Sequence, residues 1–350
     1  EISHRSPEFL KIKESCESLI RSLLSIPKNY SLLWTHGGGN GQFSAVPLNL
    51  FKEGKPAGYY INGTWSNKSS IEAEKFGLVE NINGNNDDWS IIEKEYSYLY
   101  FCSNETVDGI EFREDGFPLP EKNSFNSPVV VDMSSDLFTK KINWNKIDIV
   151  FACAPKNFGI PGSTIVIIKD EILDNINNPN DLKSNVIPSL LDWNICKNSN
   201  SFFNTLPVFN IYVTEKILKY YKKIGGLKKL EKNSKLKSDL FYEYLENNDF
   251  YKLMVNHPDK KSRMNIPFKL EVEGEDTTEI TIEFLKEAYK NNIVGLRTKT
   301  PFQNCGEIEP LRASFYNGIS MGDVKFLIKF MEKFKKKKLI STNYNVSEEN

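Results

Sequence analysis

Lys156 and Asp132 are the residues whose types and positions could do chemistry together. Lys156 lies in Ala154-Pro155-Lys156-Asn157-Phe158-Gly159, directly after an apolar run at 147–152, and Asp132 ends the apolar run that begins at Pro128. Two strands of buried composition therefore each finish at an ionisable side chain, at the sheet edge where open α/β folds hold their ligands. A lysine desolvated in such a crevice gives up its proton and becomes an imine-forming nucleophile. A carboxylate beside it can keep the ring nitrogen of pyridoxal phosphate (PLP) protonated, which makes that cofactor an electron sink. The pair is the one that PLP chemistry requires.

Other stretches could serve the same site. The turn His36-Gly37-Gly38-Gly39-Asn40-Gly41 joins a strand at 31–35 to a helix at 42–50. Its free N–H groups suit a phosphate, although glycine's turn preference alone would also explain it. It is neither a P-loop nor a GxGxxG fingerprint, which argues against nucleotides. Trp65, in Gly63-Thr64-Trp65-Ser66, could stack on an aromatic cofactor or pack the core. Thr106 follows Asn104-Glu105, and Asn204 and Thr205 precede a helix; these are polar ligands or caps. His4-Arg5 is a basic pair that reads equally as surface. Arg312 stands inside the apolar strand 311–316. A charge there needs a partner, and the guanidinium fork suits a substrate carboxylate.

The elements that position these residues follow from periodicity. A helix is predicted over 8–24, where Phe9, Ile12, Cys16, Leu19, Ile20 and Leu23 recur at helical spacing. Strand and helix signals then alternate through 57–61, 66–76, 97–102, 129–132, 147–152 and 163–168. That alternation predicts an α/β fold, a largely parallel sheet with helices on both faces. Residues 109–126 read as a surface loop, and a long helix follows Pro207 with a break at Gly225-Gly226. Beyond residue 250 the pattern becomes α+β, with strands at 264–271 and 311–316 and helices at 280–291 and 324–335. The expected domains are 1–229 and 230–338, followed by a polar tail at 339–350. The basic run 335–338 reads as a helix end complementing the dipole.

Composition narrows the function classes. The chain has 350 residues, enough for two domains, and a formal charge of −1, which gives no pull toward nucleic acid or membrane. No apolar stretch is long enough for a membrane span. The five cysteines are scattered without a CxxC pair, and with no signal peptide in view they point to a reducing, cytoplasmic setting. The chain opens at Glu1 directly into motif-like sequence, so a preceding segment is expected. No metal site is expected.

In their order along the chain, these stretches resemble the phosphoserine aminotransferases, class-V PLP enzymes of fold type I. The resemblance rests on Ser3-His4-Arg5, His36–Phe43, Val46-Pro47-Leu48-Asn49, Asn104–Gly109, Asp132-Met133-Ser134-Ser135, Lys156-Asn157, Phe203-Asn204-Thr205, Met264-Asn265-Ile266-Pro267-Phe268 and Arg312-Ala313-Ser314. It implies a mainly parallel seven-stranded sheet in a large PLP-binding domain and a smaller α+β domain. It also implies an aminotransferase of serine biosynthesis interconverting 3-phosphohydroxypyruvate and L-glutamate with O-phospho-L-serine and 2-oxoglutarate. Lys156 then carries the cofactor as a Schiff base and moves the proton, Asp132 pairs with the ring nitrogen, Trp65 stacks, and Thr106 bonds near the phenolic oxygen. Gly39 and Asn40 hold the phosphate, with Asn204 and Thr205 supplied across the interface of a homodimer. Arg312 binds the substrate α-carboxylate, while His4 and Arg5, from the other subunit, and Arg297 meet its distal anion.

Three positions depart from the family pattern. Pro155 replaces a glutamine and offers neither a side-chain hydrogen bond nor an N–H. Asn40 stands where an arginine or a small residue is common. Gly295-Leu296-Arg297 replaces a Gly-His-Arg triplet and is followed by a longer loop, 298–310. Two other readings share the fold: a class-V aminotransferase for another amino and keto acid pair, such as the alanine–glyoxylate type, and a PLP-fold scaffold without turnover. The scaffold predicts loss of the Lys–Asp pair, and both members are present.

Overall fold

Local rules account for the first elements of the chain. The computed structural model describes residues 2–82, 94–112, 126–176, 187–255, 260–272, 277–296 and 310–348, with side chains through Leu339. Ser6 caps helix α1 (Pro7–Leu24) by accepting from Phe9 N, and Pro7 sits at the helix start, where its missing N–H costs nothing. Strand β1 (Tyr30–Thr35) leads through the glycine turn into α2 (Gly38–Leu50), and β2 (Ala57–Tyr60) leads into α3 (Thr64–Ala73). Then follow β3 (Val79–Asn81), β4 (Leu99–Cys102), the short strands β5 (Asn104–Glu105) and β6 (Ile110–Glu111), β7 (Val129–Asp132), β8 (Ile149–Cys153) and β9 (Thr164–Lys169). Helices α4 (Asp170–Asn175), α5 (Trp193–Asn198) and α6 (Val208–Lys223) complete this half, and α7 (Gly226–Glu246) leads out of it.

Seven strands form one sheet in the order β1-β9-β8-β7-β4-β2-β3. The pairs β2/β3, β2/β4, β4/β7 and β7/β8 are parallel, and β9 alone runs against its neighbours. The period of two sorts side chains between the sheet faces. Val129 and Val131 enter a core with residues of α1 and α6, such as Phe9, Ile20, Ile211 and Leu218. Val130 and Phe151 enter the opposite core with Phe43 and Val46 of α2, against which Trp65 of α3 packs. Asp132, in phase with Val130, therefore ends its strand on the α2 and α3 face.

The chain divides into two compact units, Glu1–Glu105 with Glu111–Glu231, and Thr106–Ile110 with Lys232–Asn350. The second unit holds an antiparallel sheet, β10 (Tyr251–Leu253), β11 (Asn265–Leu270) and β12 (Leu311–Ser314), with α8 (Thr278–Lys290) and α9 (Met321–Glu348). Its core joins Phe241, Tyr251, Phe268, Phe284, Leu311 and Met331. The excursion Thr106–Ile110 is held by Ser262 N donating to Gly109 O at 2.8 Å. Gly109 has φ 70°, and a Cβ there would lie 2.4 Å from the Pro267 ring, so only glycine fits.

Sequence and structure differ mainly at short or unpunctuated elements. Strands β3, β5, β6 and β10 and helices α4 and α5 were not predicted; each is of six residues or fewer, and β6, with Glu111 buried, lies within the expected surface loop at 109–126. Helix α9 continues to Glu348, beyond the expected end at Lys335 and into the expected tail, because no glycine or proline follows Gly322 to stop it. Of the expected loop at 109–126, residues 113–125 lie outside the described residues.

Lys237 of α7 lends the second unit a titratable anchor. Its ammonium donates to the carbonyls of Phe315, Tyr316 and Ile319 at 2.8–3.0 Å. Burial pushes it down to about 8, while Asp323 pulls the other way. The unfolded chain holds this proton up to about 10.4, so between these values the unfolded state binds more protons and stability rises with pH. In urea melts the stability difference between the wild type and Lys237→Met should move in the wild type's favour with rising pH, by about 3 kcal/mol across that window. Taking the difference separates Lys237 from buried groups such as Cys16 and Tyr98, whose raised pKa values act in the opposite sense.

Candidate active site

The carboxyl edge of the first unit's sheet gathers the ionisable pair. Asp132 ends β7 beside Cys102 of β4 and Phe151 of β8. The chain then turns tightly, and Ser134 N donates to Asp132 Oδ1 at 2.8 Å. Ser134 Oγ in turn accepts from Cys153 N, the last residue of β8, at 3.3 Å. Beyond β8 the chain makes a compact turn in which Phe158 N and Gly159 N both donate to Ala154 O. Pro155 is exposed at the first position of this turn, where its fixed φ helps and its missing N–H is not needed. Lys156 follows, half-buried, with Nζ 5.4 Å from the centre of the Trp65 ring.

Two serines tie the acid's turn to the lysine's. Ser135 O accepts from the Asn157 amide at 2.8 Å. Ser135 Oγ receives the Asn104 amide and donates to Asn104 O, at 2.8 and 2.9 Å. Trp65 is fixed from its backbone: the buried Glu105 accepts Trp65 N on Oε2 at 2.8 Å and Ser66 N on Oε1 at 2.7 Å. A carboxylate thus caps the amino end of α3, as the helix dipole favours. Lys68 Nζ is also near the indole, 5.3 Å from its centre.

The glycine turn borders this group. Gly37 and Gly38 have φ of 86° and 62°, and a Cβ on Gly41 would stand 2.9 Å from His36 O. Helix α2 starts without a side-chain cap, so its first N–H groups are available to an anion. A Cβ on Gly39 would first meet Ser134 Oγ, at 3.9 Å, which sets the helix start beside the acid's turn. His36 Nε2 is buried without a hydrogen-bond partner among the described residues, and burial lowers the imidazole's pKa, favouring the neutral ring.

Electrostatics single out Asp132. Burial pushes its carboxyl up, opposed by the Ser134 hydrogen bonds and the Lys156 charge; Asp136 adds to the upward push. Asp136 itself is compensated by Lys140 at 2.7 Å and by Ser103 Oγ. The site therefore holds an acid whose charged form gains from any further cation brought to it.

The other expected residues fall in three places. Arg312 and Thr106 meet in the second unit, where Arg312 Nη1 donates to Thr106 O at 2.9 Å and Nε is buried without a partner among the described residues. Asn204 and Thr205 are exposed before α6, next to Phe203, which is also exposed. Arg5 is exposed, and the half-buried His4 ring lies 6.2 Å from that of Phe202. Arg297 lies outside the described residues, as does 298–309 of its loop. Leu296 is buried in the second unit's core, and its carbonyl accepts Arg312 N. Sequence reading assigned no role to Glu105, Ser134, Ser135 or the Asn157 amide. Their signal was only that they adjoin Thr106, Asp132 and Lys156.

The chain is similar to known proteins along most of its length. The family model for class-V aminotransferases matches residues 1–327. The phosphoserine aminotransferases of Buchnera aphidicola subsp. Cinara cedri and Pseudoalteromonas translucida are 36% and 35% identical to the chain, over 96% of it and 89% of their own lengths. Among solved structures, phosphoserine aminotransferase from Bacillus circulans subsp. alkalophilus superposes with TM-score 0.83 at 30% identity, covering 96% of this chain and 89% of its own. PLP-bound phosphoserine aminotransferase from Trichomonas vaginalis gives TM-score 0.81 at 30% identity, with 95% and 90% covered.

Glu105→Gln tests the cap that holds Trp65. The amide keeps one acceptor oxygen and sets its NH2 against the other backbone N–H, so one donor loses its partner. Chemical denaturation should show a loss of about 2–3 kcal/mol.

Proposed function

The chain belongs to the class-V aminotransferase family, and from that premise we propose that it transfers the amino group of L-glutamate to 3-phosphohydroxypyruvate, releasing 2-oxoglutarate and O-phospho-L-serine for serine biosynthesis. One observation carries the reading at the level of the site: Lys156 beside the Trp65 ring, in the turn that leaves β8, the strand paired with the one that ends at the buried Asp132. Likeness to phosphoserine aminotransferases across 96% of the chain supports the substrate pair.

The cofactor is PLP, and the residues suit it. They offer a flat aromatic face, an amine, a helix start without a side-chain cap, and an acid whose burial calls for a positive partner. When bound, PLP takes up the electrons left at the substrate carbon when a bond there breaks. Asp132 holds the proton on the ring nitrogen, and Trp65 covers one face of the ring. Gly39 and Asn40, at the start of α2, hold the phosphate. Lys156 Nζ takes the proton from the substrate Cα and returns it on the other side of the exchange. Thr106 bonds near the phenolic oxygen, and Arg312 receives the α-carboxylate through its fork.

We assign a homodimer with its sites at the subunit interface. Asn204 and Thr205 stand among the exposed Phe203 and Phe209, which a second subunit would cover while receiving their polar neighbours. His4, Arg5 and Arg297 are assigned to the distal anion of the substrate, the first two across that interface. The division of labour follows the expected domains, with cofactor binding in 1–229 and the carboxylate fork in 230–338. No described helix is long and apolar enough to cross a membrane, and we assign the enzyme to the cytoplasm.

Absorption spectroscopy tests this reading. The wild type supplied with PLP should show the visible band of a lysine-bound cofactor, and Lys156→Ala should lose both the band and at least about a thousandfold of turnover. Glutamate should bleach the band, and 3-phosphohydroxypyruvate should restore it. Restoration by unphosphorylated keto acids alone would move the chain to another class-V pair. A folded wild type without any band would overturn the enzyme assignment.

A further inference from the structure

Helix α6 presents one stripe of side chains to the turn that carries the lysine. Asn210, Thr214 and Tyr221 are spaced by four and seven residues, so they share a face of the helix. The Asn210 amide donates to Pro161 O. Thr214 approaches so closely that a Cβ on Gly159 would lie 2.6 Å from its Oγ1. Tyr221, buried with its ring 6.1 Å from that of Phe138, donates its hydroxyl to Asn157 O. Asn157 is thus held at its carbonyl by Tyr221 and at its amide by Ser135 O, three residues beyond Asp132. Lys156 lies between this doubly held residue and Pro155, which is exposed and contributes no hydrogen-bonding side chain.

We propose that Tyr221 is a positioning residue: through Asn157 it fixes the backbone of Lys156 relative to Asp132, so that the amine meets the cofactor and the substrate carbon in register without help from residue 155. The proposal rests on the PLP reading above. Lys156 Nζ must add to the aldehyde carbon of PLP, whose carbonyl oxygen leaves as water, and must move a proton at a single substrate atom; both steps depend steeply on where Nζ starts. Tyr221 touches neither substrate nor cofactor; it acts through the turn.

Tyr221→Phe removes the hydroxyl and keeps the ring. The first readout is the rate at which PLP added to the apoenzyme bonds to Lys156, followed by the growth of the visible band. This rate should fall about tenfold, and kcat should fall comparably while KM for glutamate stays within about twofold. Glutamate deuterated at Cα should show a larger isotope effect on kcat than in the wild type, because proton transfer becomes more fully rate-limiting. Asn157→Asp, which removes the amide donor toward Ser135 O, should reproduce the slow loading. Tyr220→Phe, at the exposed neighbouring tyrosine, should leave all these values unchanged. Wild-type loading and isotope effect in Tyr221→Phe would overturn the proposal, including where the variant melts at a lower temperature. A wild type that binds no PLP would instead overturn the functional reading on which it rests.

Discussion

A carboxylate buried at the end of a strand is costly unless something positive comes to it, and the first unit treats its buried acids unequally. Glu105 is taken up by two backbone N–H groups of α3. Asp136 and Glu111 share the buried Lys140, which also donates to Phe112 O. Asp132 receives the Ser134 N–H and the nearby charge of Lys156, itself half-buried. Of these four, the one whose carboxyl burial pushes up faces α2 and α3. Its neighbours are fixed by interactions that do not draw on it, so it is left to meet a cation that arrives with a ligand.

That arrangement requires the acid and the amine to be held in a set relation to one another. The structure achieves this through backbone groups. Ser134 links the Asp132 carboxylate to the last N–H of β8, and Ser135 links the next turn residue to Asn157. Both serines belong to the loop leaving β7; one partner is the last residue of β8 and the other lies in the turn that follows it. Parallel pairing of the two strands sets the loops side by side, and the serines convert that proximity into a fixed distance. Pro155 fits this logic, since a turn fastened at Ala154 and Asn157 needs only a residue with the right φ between them and the lysine.

The strands and the Lys–Asp pair were legible because fully buried parallel strands read as continuous apolar runs, and a charge at the end of such a run stands out. The seven-stranded, mainly parallel sheet follows from the same alternation. Less could be read of what holds the pair. Asn157 and Ser135 are 22 residues apart and Tyr221 and Asn157 are 64 apart, and no spacing rule connects such residues before the fold does. Pro155 illustrates the limit: from sequence it registers as a hydrogen bond lost, whereas the turn is held from Asn157 and from α6. Leu296 is similar. In sequence it is an absent imidazole, and in the structure it is a core residue of the second unit whose carbonyl aligns the strand of Arg312. The end of α9 was misjudged for a simpler reason, because a lysine run ends a helix no more firmly than it continues one.

Thr106 shows how chain order and structural membership can part. It follows Glu105, which caps a helix of the first unit, yet Thr106–Ile110 folds with the second. The cause is steric as much as polar: Gly109 fits against the Pro267 ring only because it lacks a Cβ, and Ser262 N then closes on its carbonyl. The Thr106 carbonyl is thereby delivered to Arg312, whose guanidinium would otherwise have one more donor to satisfy inside the strand layer. That bond uses Nη1 and leaves Nε buried and unmatched among the described residues. An arginine half-satisfied in this way carries a cost that a carboxylate ligand can relieve, the mirror image of Asp132, where burial leaves an acid short of a cation. Asp132 in the first unit and Arg312 in the second thus each keep polar capacity that their own fold does not fully answer, and it is at such places that a ligand gains the most by binding.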